Sequence, residues 1–377
     1  MTAVLQEQDT ASSTVLYMVL ELSNKSWKLG FSDGTRSRQN TIDAGDFVAL
    51  NEMIVRGKEK FRLPSECRIV SCYEAGRDGF WIHRALVEAG IENHVIDSSS
   101  IEVNRRKRRA KTDKVDVKSM LRLLQRYCNG EREAMSVVRV PSLAEEDDRR
   151  LHRERERLVK ERGSHSARIQ SLLVAHGIRL QVRPDFLERL ESVKGGMGYE
   201  LGADLKAELI REYERYQLVN EQIKALEKEQ KQRAVEASSD AMKQINALME
   251  LKGIGWQSSW ILVMEFFSWR RFQNRRQLGA CAGLTPTPYS SGDSEREQGI
   301  SKAGNRRIRS LLVELSWLWL RYQANSALSQ WYQRRFAGGG KRMRRIGIVA
   351  LARKLLIALW RYVDAGEIPE GAIVVTK

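Results

Sequence analysis

Four acidic residues stand where a carboxylate is awkward unless it binds something. Glu21 ends the apolar run Val-Leu-Tyr-Met-Val-Leu at 15–20, and Glu74 ends Arg-Ile-Val-Ser-Cys-Tyr at 68–73. Asp113 and Asp116 come just after Arg-Arg-Lys-Arg-Arg-Ala-Lys at 105–111. Burying an unpaired carboxylate is expensive, so acids at the ends of core strands keep cations for company. Asp113 and Asp116 lie three apart and share a face of any helix that carries both. Two such carboxylates, with one from each of two strands, suit a pair of Mg²⁺ ions roughly 3.5–4 Å apart, the arrangement for in-line displacement at phosphorus. The plainer account is that acids in a helix's first turn oppose its dipole, with Thr112 as N-cap. For Asp113 alone the plainer account is preferred; for the four acids together the metal reading is.

The basic run supplies six cations in seven residues: Arg105, Arg106, Lys107, Arg108, Arg109 and Lys111. Beside the acids it would set a phosphate backbone over them; otherwise it is a solvated loop. Further on, Leu251-Lys252-Gly253-Ile254-Gly255 links two apolar helical stretches. In a helix-hairpin-helix, Gly253 and Gly255 would let backbone N–H groups approach a phosphate, although a helix-capping glycine has the same look. Gly283 to Gly292 reads as a Pro-stiffened loop with hydroxyls at Tyr289, Ser290 and Ser291, by itself an ordinary turn. Lys302, Arg306, Arg307 and Arg309 then open a helix and make an anion site beside those hydroxyls. The five histidines are scattered, and no Ser/His/Asp arrangement is recognisable.

The elements that must carry these residues follow from hydrophobic period. Val15 to Leu22 reads as a buried strand, Ser26 to Ser32 as its partner across Asn24-Lys25, and a third strand is expected near Thr41-Ile42. Helix is predicted over 47–57 and 79–89, strand over 68–73 and 94–97, and helix from Asp113 to Tyr127. Three leading strands followed by alternating helix and strand match a ribonuclease-H-like order, and no GxGxxG follows the first strand. Residues 145–162 are nearly all charged, with opposite signs at helical spacing, and 202–234 return as a long helix. They read as a solvated connector, a helical hairpin, or a coiled coil that pairs subunits. From Gln244 the chain reads as helical, aromatic and basic, with seven of the nine tryptophans and two apolar helices at roughly 305–335 and 341–363. The expected organisation is therefore α/β plus all-α: domains at 1–140, 141–242 and 243–377.

Sixty-four Lys and Arg against 48 Asp and Glu leave a net +16, which favours a polyanionic partner. The four cysteines form no CxxC pair and read as reduced thiols of a cytoplasmic, soluble protein. The two greasiest runs, 311–320 and 346–360, are too short and too charged to span a bilayer, so no membrane partner is expected.

Together these pieces resemble the DEDD transposases of bacterial insertion sequences, the bridge-RNA-guided recombinases. The resemblance rests on Tyr73-Glu74-Ala75-Gly76, on Lys111-Thr112-Asp113-Lys114-Val115-Asp116, and on the block from Ala282-Gly283-Leu284-Thr285-Pro286 through Ser291-Gly292 to Lys302-Ala303-Gly304-Asn305-Arg306-Arg307. It implies a RuvC-like ribonuclease-H domain bearing the acids, a coiled-coil connector and a C-terminal helical transposase domain. It further implies that the serine before the loop glycine, Ser291, attacks DNA. A composite site built from two subunits of a homo-oligomer (dimer or tetramer) is implied too, with a structured bridge RNA that pairs with donor and target DNA. One position departs from the family pattern: Glu21 stands where an aspartate is usual. The resulting expectation is a Mg²⁺-dependent serine recombinase. Its rivals are a junction-resolving nuclease using metal-activated water and an inactive nucleic-acid-binding copy.

Overall fold

In the computed structural model, which describes residues 14–97, 113–236, 239–291 and 294–375, the apolar run at 15–20 becomes the central strand of a five-stranded sheet. Strands β1 (Val15–Leu22), β2 (Ser26–Ser32) and β3 (Ser37–Asp43) form an antiparallel meander. On the other side of β1, β4 (Arg68–Glu74) and then β5 (Glu92–Ile96) pair in parallel, giving the order β3-β2-β1-β4-β5. Because β1 is apolar at successive positions, it is covered on both faces. Leu16, Met18 and Leu20 pack under α1 (Phe47–Phe61) and α2 (Trp81–Glu88), while Tyr17 and Val19 pack under α3 (Asp113–Cys128). Gly30 on β2 permits that second layer: a Cβ there would lie 2.4 Å from Val117 Cγ1 of α3.

Two boundaries differ from the sequence expectation for local reasons. Only Ile42 of β3 is buried, so this polar edge strand showed almost no apolar alternation. Helix α1 continues past 57 because Gly57 packs against the Phe31 ring and is no stop; the helix ends at Arg62 in the left-handed region, φ 59°.

The chain divides into two compact units, Met1–Pro141 and Ser142–Lys377. The second begins with α4 (Leu143–Asp147), closed by a Ser142/Glu145 capping box. Helices α5 (Arg150–Val174) and α7 (Ala203–Glu236) then pack antiparallel, with α6 (Phe186–Ser192) between them in sequence. Their cross-links step in opposite senses: Arg155–Glu227, Arg162–Asn220, His165–Glu212 and Arg168–Glu208. Beneath them Leu158, Val219 and Ile223 make an apolar seam. The charged region is thus a helical hairpin within one chain.

The rest comprises α8 (Asp240–Glu250), α9 (Trp256–Leu262) running into a π-helical turn at Val263–Phe267, and α10 (Arg275–Cys281). A hairpin of β6 (Pro286–Ser291) and β7 (Ser294–Ile300) follows. Helices α11 (Arg306–Tyr322), α12 (Ala327–Tyr332, continuing as a π-helical turn to Ala337) and α13 (Lys341–Ala365) complete the unit. Trp260, Phe266, Leu312, Trp319, Leu355 and Leu359 form its core. The helix expected over 305–335 is broken at Gln323. That side chain donates to the carbonyls of Lys252 and Ile373 and accepts from Ile373 N, so the break seats the C-terminal tail. No helix among the described residues is long and apolar enough to cross a membrane.

Candidate active site

Parallel pairing of β1 with β4 sets Leu20 opposite Tyr73, so the next residue on each strand is an acid: Glu21 and Glu74. They stand side by side where the two strands end. Strand alternation puts both on the face of Val19 and Cys72, the face covered by α3. Both are half-buried, and Glu21 is also registered with Lys28 of β2.

The direction of α3 decides where its acids fall. Near its C-terminal end Gln125 Nε2 donates to Ser32 Oγ, at the far end of β2, over 2.8 Å. Near its start Val117 packs against Val19 and Gly30. The helix therefore runs antiparallel to β1, and its first turn, holding Asp113 and Asp116, comes to the end of the sheet where Glu21 and Glu74 lie. The chain brings the backbone of all four predicted acids to one end of one sheet face. A set of carboxylate oxygens suits a hard divalent cation such as Mg²⁺. For Asp113 and Asp116 the structure describes backbone only, and the basic residues at 105–111 lie outside the described residues. Among the described residues no group of three His, Cys, Asp or Glu gathers as a metal site.

The predicted serine loop is instead a β-hairpin, with Ser291 the last residue of β6 and registered with Ser294. Its side chain, like Gly292, is outside what is described. What is described is the base. Ser301 N donates to Thr285 O, Lys302 N to Gly283 O and Asn305 N to Cys281 O, zipping the chain that enters the hairpin to the chain that leaves it. Both glycines of this zipper have positive φ. A Cβ on Gly283 would sit 2.0 Å from Ala303 O, and one on Gly304 2.3 Å from Cys281 O. The two halves of the sequence block are therefore the two ends of one anchored arm.

A buried carboxylate holds that arm's foot. Glu265, in the π-helical turn, is 2% exposed. Its Oε2 accepts from His152 Nε2 at 2.9 Å and Arg153 Nε at 3.1 Å; its Oε1 accepts from Arg153 Nη2 at 2.7 Å and Asn305 Nδ2 at 3.1 Å. An ionised carboxylate only accepts, so His152 carries its proton on Nε2. Burial alone would push the Glu265 carboxyl up, but hydrogen bonds and charge from His152 and Arg153 outweigh it and hold the group well below the usual range. Asn305 meanwhile caps α11, its Oδ1 accepting from Arg307 N and Ile308 N. One asparagine thus ties Glu265, the start of α11 and Cys281 together.

The predicted anion-binding residues divide accordingly. Arg307 pairs with Glu156 of α5 and lies 3.8 Å from Glu265, and Arg309 Nη1 donates to Ala282 O at 3.1 Å. Both work inside the fold. Lys302, at φ 57°, and Arg306 are exposed. In the glycine turn, the N–H groups of Leu251, Lys252 and Ile254 bond to Leu248 O, Ile373 O and Leu251 O. Gly253, at φ +94°, packs against Tyr322, whereas Gly255 faces open space as the N-cap of α9. Sequence reasoning passed over Glu265 and His152. The criterion that singled out Glu21 and Glu74, an acid on an apolar run, applies equally to Glu265 after Trp-Ile-Leu-Val-Met.

A family model described as the IS116/IS110/IS902 family of transposases matches residues 245–333, from α8 through the hairpin to the turn after α12. Over 376 residues the chain is 42% identical to the putative transposase y4rJ of Sinorhizobium fredii, covering 96% of this chain and 95% of that one. It is 28% identical over 221 residues to the transposase for insertion sequence element IS1328 of Yersinia enterocolitica, covering 58% and 63%. To the transposase for insertion sequence element IS1111A of Coxiella burnetii it is 28% identical over 239 residues, covering 63% and 64%.

Proposed function

The chain belongs to the IS116/IS110/IS902 family of transposases, and from that premise we propose that it cuts and rejoins DNA strands through a covalent phosphoserine on Ser291. The observation that carries this reading is the convergence of β1, β4 and the first turn of α3, which brings Glu21, Glu74, Asp113 and Asp116 to one end of one sheet. The strand order β3-β2-β1-β4-β5, with three antiparallel strands leading, supports a ribonuclease-H-like, RuvC-like identity for the sheet unit. The functional division at 1–140, 141–242 and 243–377 belongs to the same reading. So do a structured guide RNA and a homo-oligomer in which one subunit's acids serve another's serine.

In this mechanism the four carboxylates would hold Mg²⁺, and the ion would supply charge stabilisation at the phosphate and the leaving oxygen. The Ser291 hydroxyl forms an ester bond to phosphorus as the bond to the 3′ oxygen breaks, and the serine proton ends on that oxygen. The ester conserves the bond for rejoining, when a 3′ hydroxyl attacks and Ser291 recovers its proton. The hairpin pairs Pro288 to Ser291 with Ser294 to Glu297, which holds the backbone that carries the serine. Glu21 offers the same oxygen donors as aspartate at one methylene more reach.

The test is a denaturing gel of protein incubated with element-end DNA, guide RNA and Mg²⁺. Wild type and Ser290→Ala should give a covalent protein–DNA band, and Ser291→Ala should bind DNA without one. Mass spectrometry should find the nucleotide on the peptide containing Ser291. Full cleavage by Ser291→Ala, or an adduct on Tyr289, would replace the serine by water or tyrosine as nucleophile.

A further inference from the structure

Between Glu314 and Asp364 the chain holds 49 residues with ten Lys and Arg and no Asp or Glu. That segment carries +10 in a chain of net +16. Four of the ten are occupied within the fold. Arg321 lies over the Tyr322 ring, Arg353 lies beside Gly279, Lys354 lies over the Trp331 ring, and Arg361 faces Glu367.

The other six, Arg334, Arg335, Lys341, Arg342, Arg344 and Arg345, are all exposed. Among the described residues none is paired with a carboxylate; their side chains make contacts such as Arg344 Nε to Gly339 O at 3.2 Å and Arg335 near the Phe336 ring.

The fold crowds these six together. The π-helical turn after α12 and the start of α13 meet across Gly338-Gly339-Gly340, with Tyr332 and Phe336 packed on Ile348 and Leu351. The approach is close enough that a Cβ on Gly347 would lie 2.5 Å from Phe336 Cγ. Cations from both sides of the turn therefore share one corner.

Their placement also opposes the local electrostatics. Lys341, Arg342, Arg344 and Arg345 occupy the opening of a 25-residue helix, at the positive end of its dipole. Gly340 provides no side-chain cap there. Like charges repel one another and the helix end, and nothing in the described fold neutralises them. A sequence that breaks a local rule without an internal compensation marks a place where the compensation comes from outside.

We propose that this corner is a separate binding site for the phosphodiester backbone of a nucleic acid, held by charge and without reading sequence. It lies beyond the residues matched by the family model, which end at 333. Arginine predominates, five of the six, as suits bidentate contact with phosphate oxygens. The inference rests on the transposase reading only for the identity of the polyanion.

The experiment uses the full chain without divalent metal, so its outcome is independent of Ser291 and of cleavage. Binding to a random-sequence DNA duplex, to a structured RNA and to anionic lipid vesicles is measured over a range of KCl. The variants are R342Q/R344Q/R345Q, R334Q/R335Q and the charge-keeping R342K/R344K/R345K. Each phosphate contact removed should lower the log–log salt slope by about 0.9 on duplex DNA, so the triple Gln variant should lose roughly 2–3. The Lys variant should keep most of its slope, and the Gln variant should melt no lower than wild type, since cations leave the positive helix end. A change confined to DNA or to RNA identifies the ligand. Slopes unchanged on both, an effect on vesicles alone, or equal losses in the Gln and Lys variants would each overturn the proposal.

Discussion

The two units use carboxylates in opposite ways. In the sheet unit Glu21 and Glu74 lie near the ends of two neighbouring parallel strands, on the sheet face covered by the helix whose backbone begins at Asp113. In the helical unit Glu265 is gathered among His152, Arg153, Asn305 and Arg307, so acid is gathered among donors. Like charges held close cost stability until a cation joins them, while a satisfied buried carboxylate stabilises the elements that meet on it. On the proposed metal reading, the difference separates acids that would bind an ion from an acid that already holds its neighbours together.

Substitutions can sharpen that contrast. The largest effect is expected from Glu74→Gln or Asp116→Asn, which should abolish strand cleavage in Mg²⁺ while thermal unfolding without metal is unchanged or shifted upward. Normal cleavage by either protein would remove that residue from the site. Glu265→Ala should do the reverse. Removing the acceptor shared by buried His152, partly exposed Arg153 and Asn305 should cost about 3 kcal/mol, equivalent to roughly 6–12 °C in melting temperature for a domain of this size. A melting curve superimposable on wild type would show that Glu265 holds nothing.

The same residue has a pH signature. Its folded-state pKa is depressed, so its contribution is fully present above the ordinary glutamate value of 4.5 and is lost as pH falls below it. Denaturant titrations between about pH 6 and about pH 3 should therefore show a steeper acid loss in wild type than in Glu265→Gln. Parallel curves would remove the linkage.

Smaller effects follow from packing and surface charge. Gly30→Ala forces a Cβ into Val117 and should cost about 1–3 kcal/mol. Because α3 also carries Asp113 and Asp116, activity per folded molecule should fall too, measurable as kcat at saturating DNA. At the bottom of the scale, Arg168→Ala breaks an exposed pair with Glu208 and should change stability by about 0.5 kcal/mol or less. A loss several times larger would mean that the α5/α7 cross-links are more than a solvated rung.

Much of this protein was legible as sequence because its signals are local. The apolar runs at 15–20 and 68–73, the amphipathic helices of the sheet unit and the Asn129-Gly130 stop all report through near neighbours, and each of these stands within a few residues of its expected place. The acids at the ends of those runs stand out for the same reason, and the strand pairing that sets Glu21 and Glu74 side by side follows from those runs. The less regular elements were not. Polar β3 carries one buried side chain, and the hairpin at Pro286–Ser291 and Ser294–Ile300 is held by bonds at its base from residues up to 24 positions apart, Cys281 and Asn305 among them.

What tertiary structure alone decided was the company each charge keeps. Nothing in Gly-Asn-Arg-Arg distinguishes Arg306, which is exposed, from Arg307, which pairs with Glu156 some 151 residues away. Composition counted +16 but could not say that several α5 cations find carboxylates on α7, while among the described residues those of the corner at 334–345 find none. Periodicity reads which face of an element is apolar, a property of neighbours in sequence. Pairing of charge depends on distances across the fold, which only packing of the elements sets.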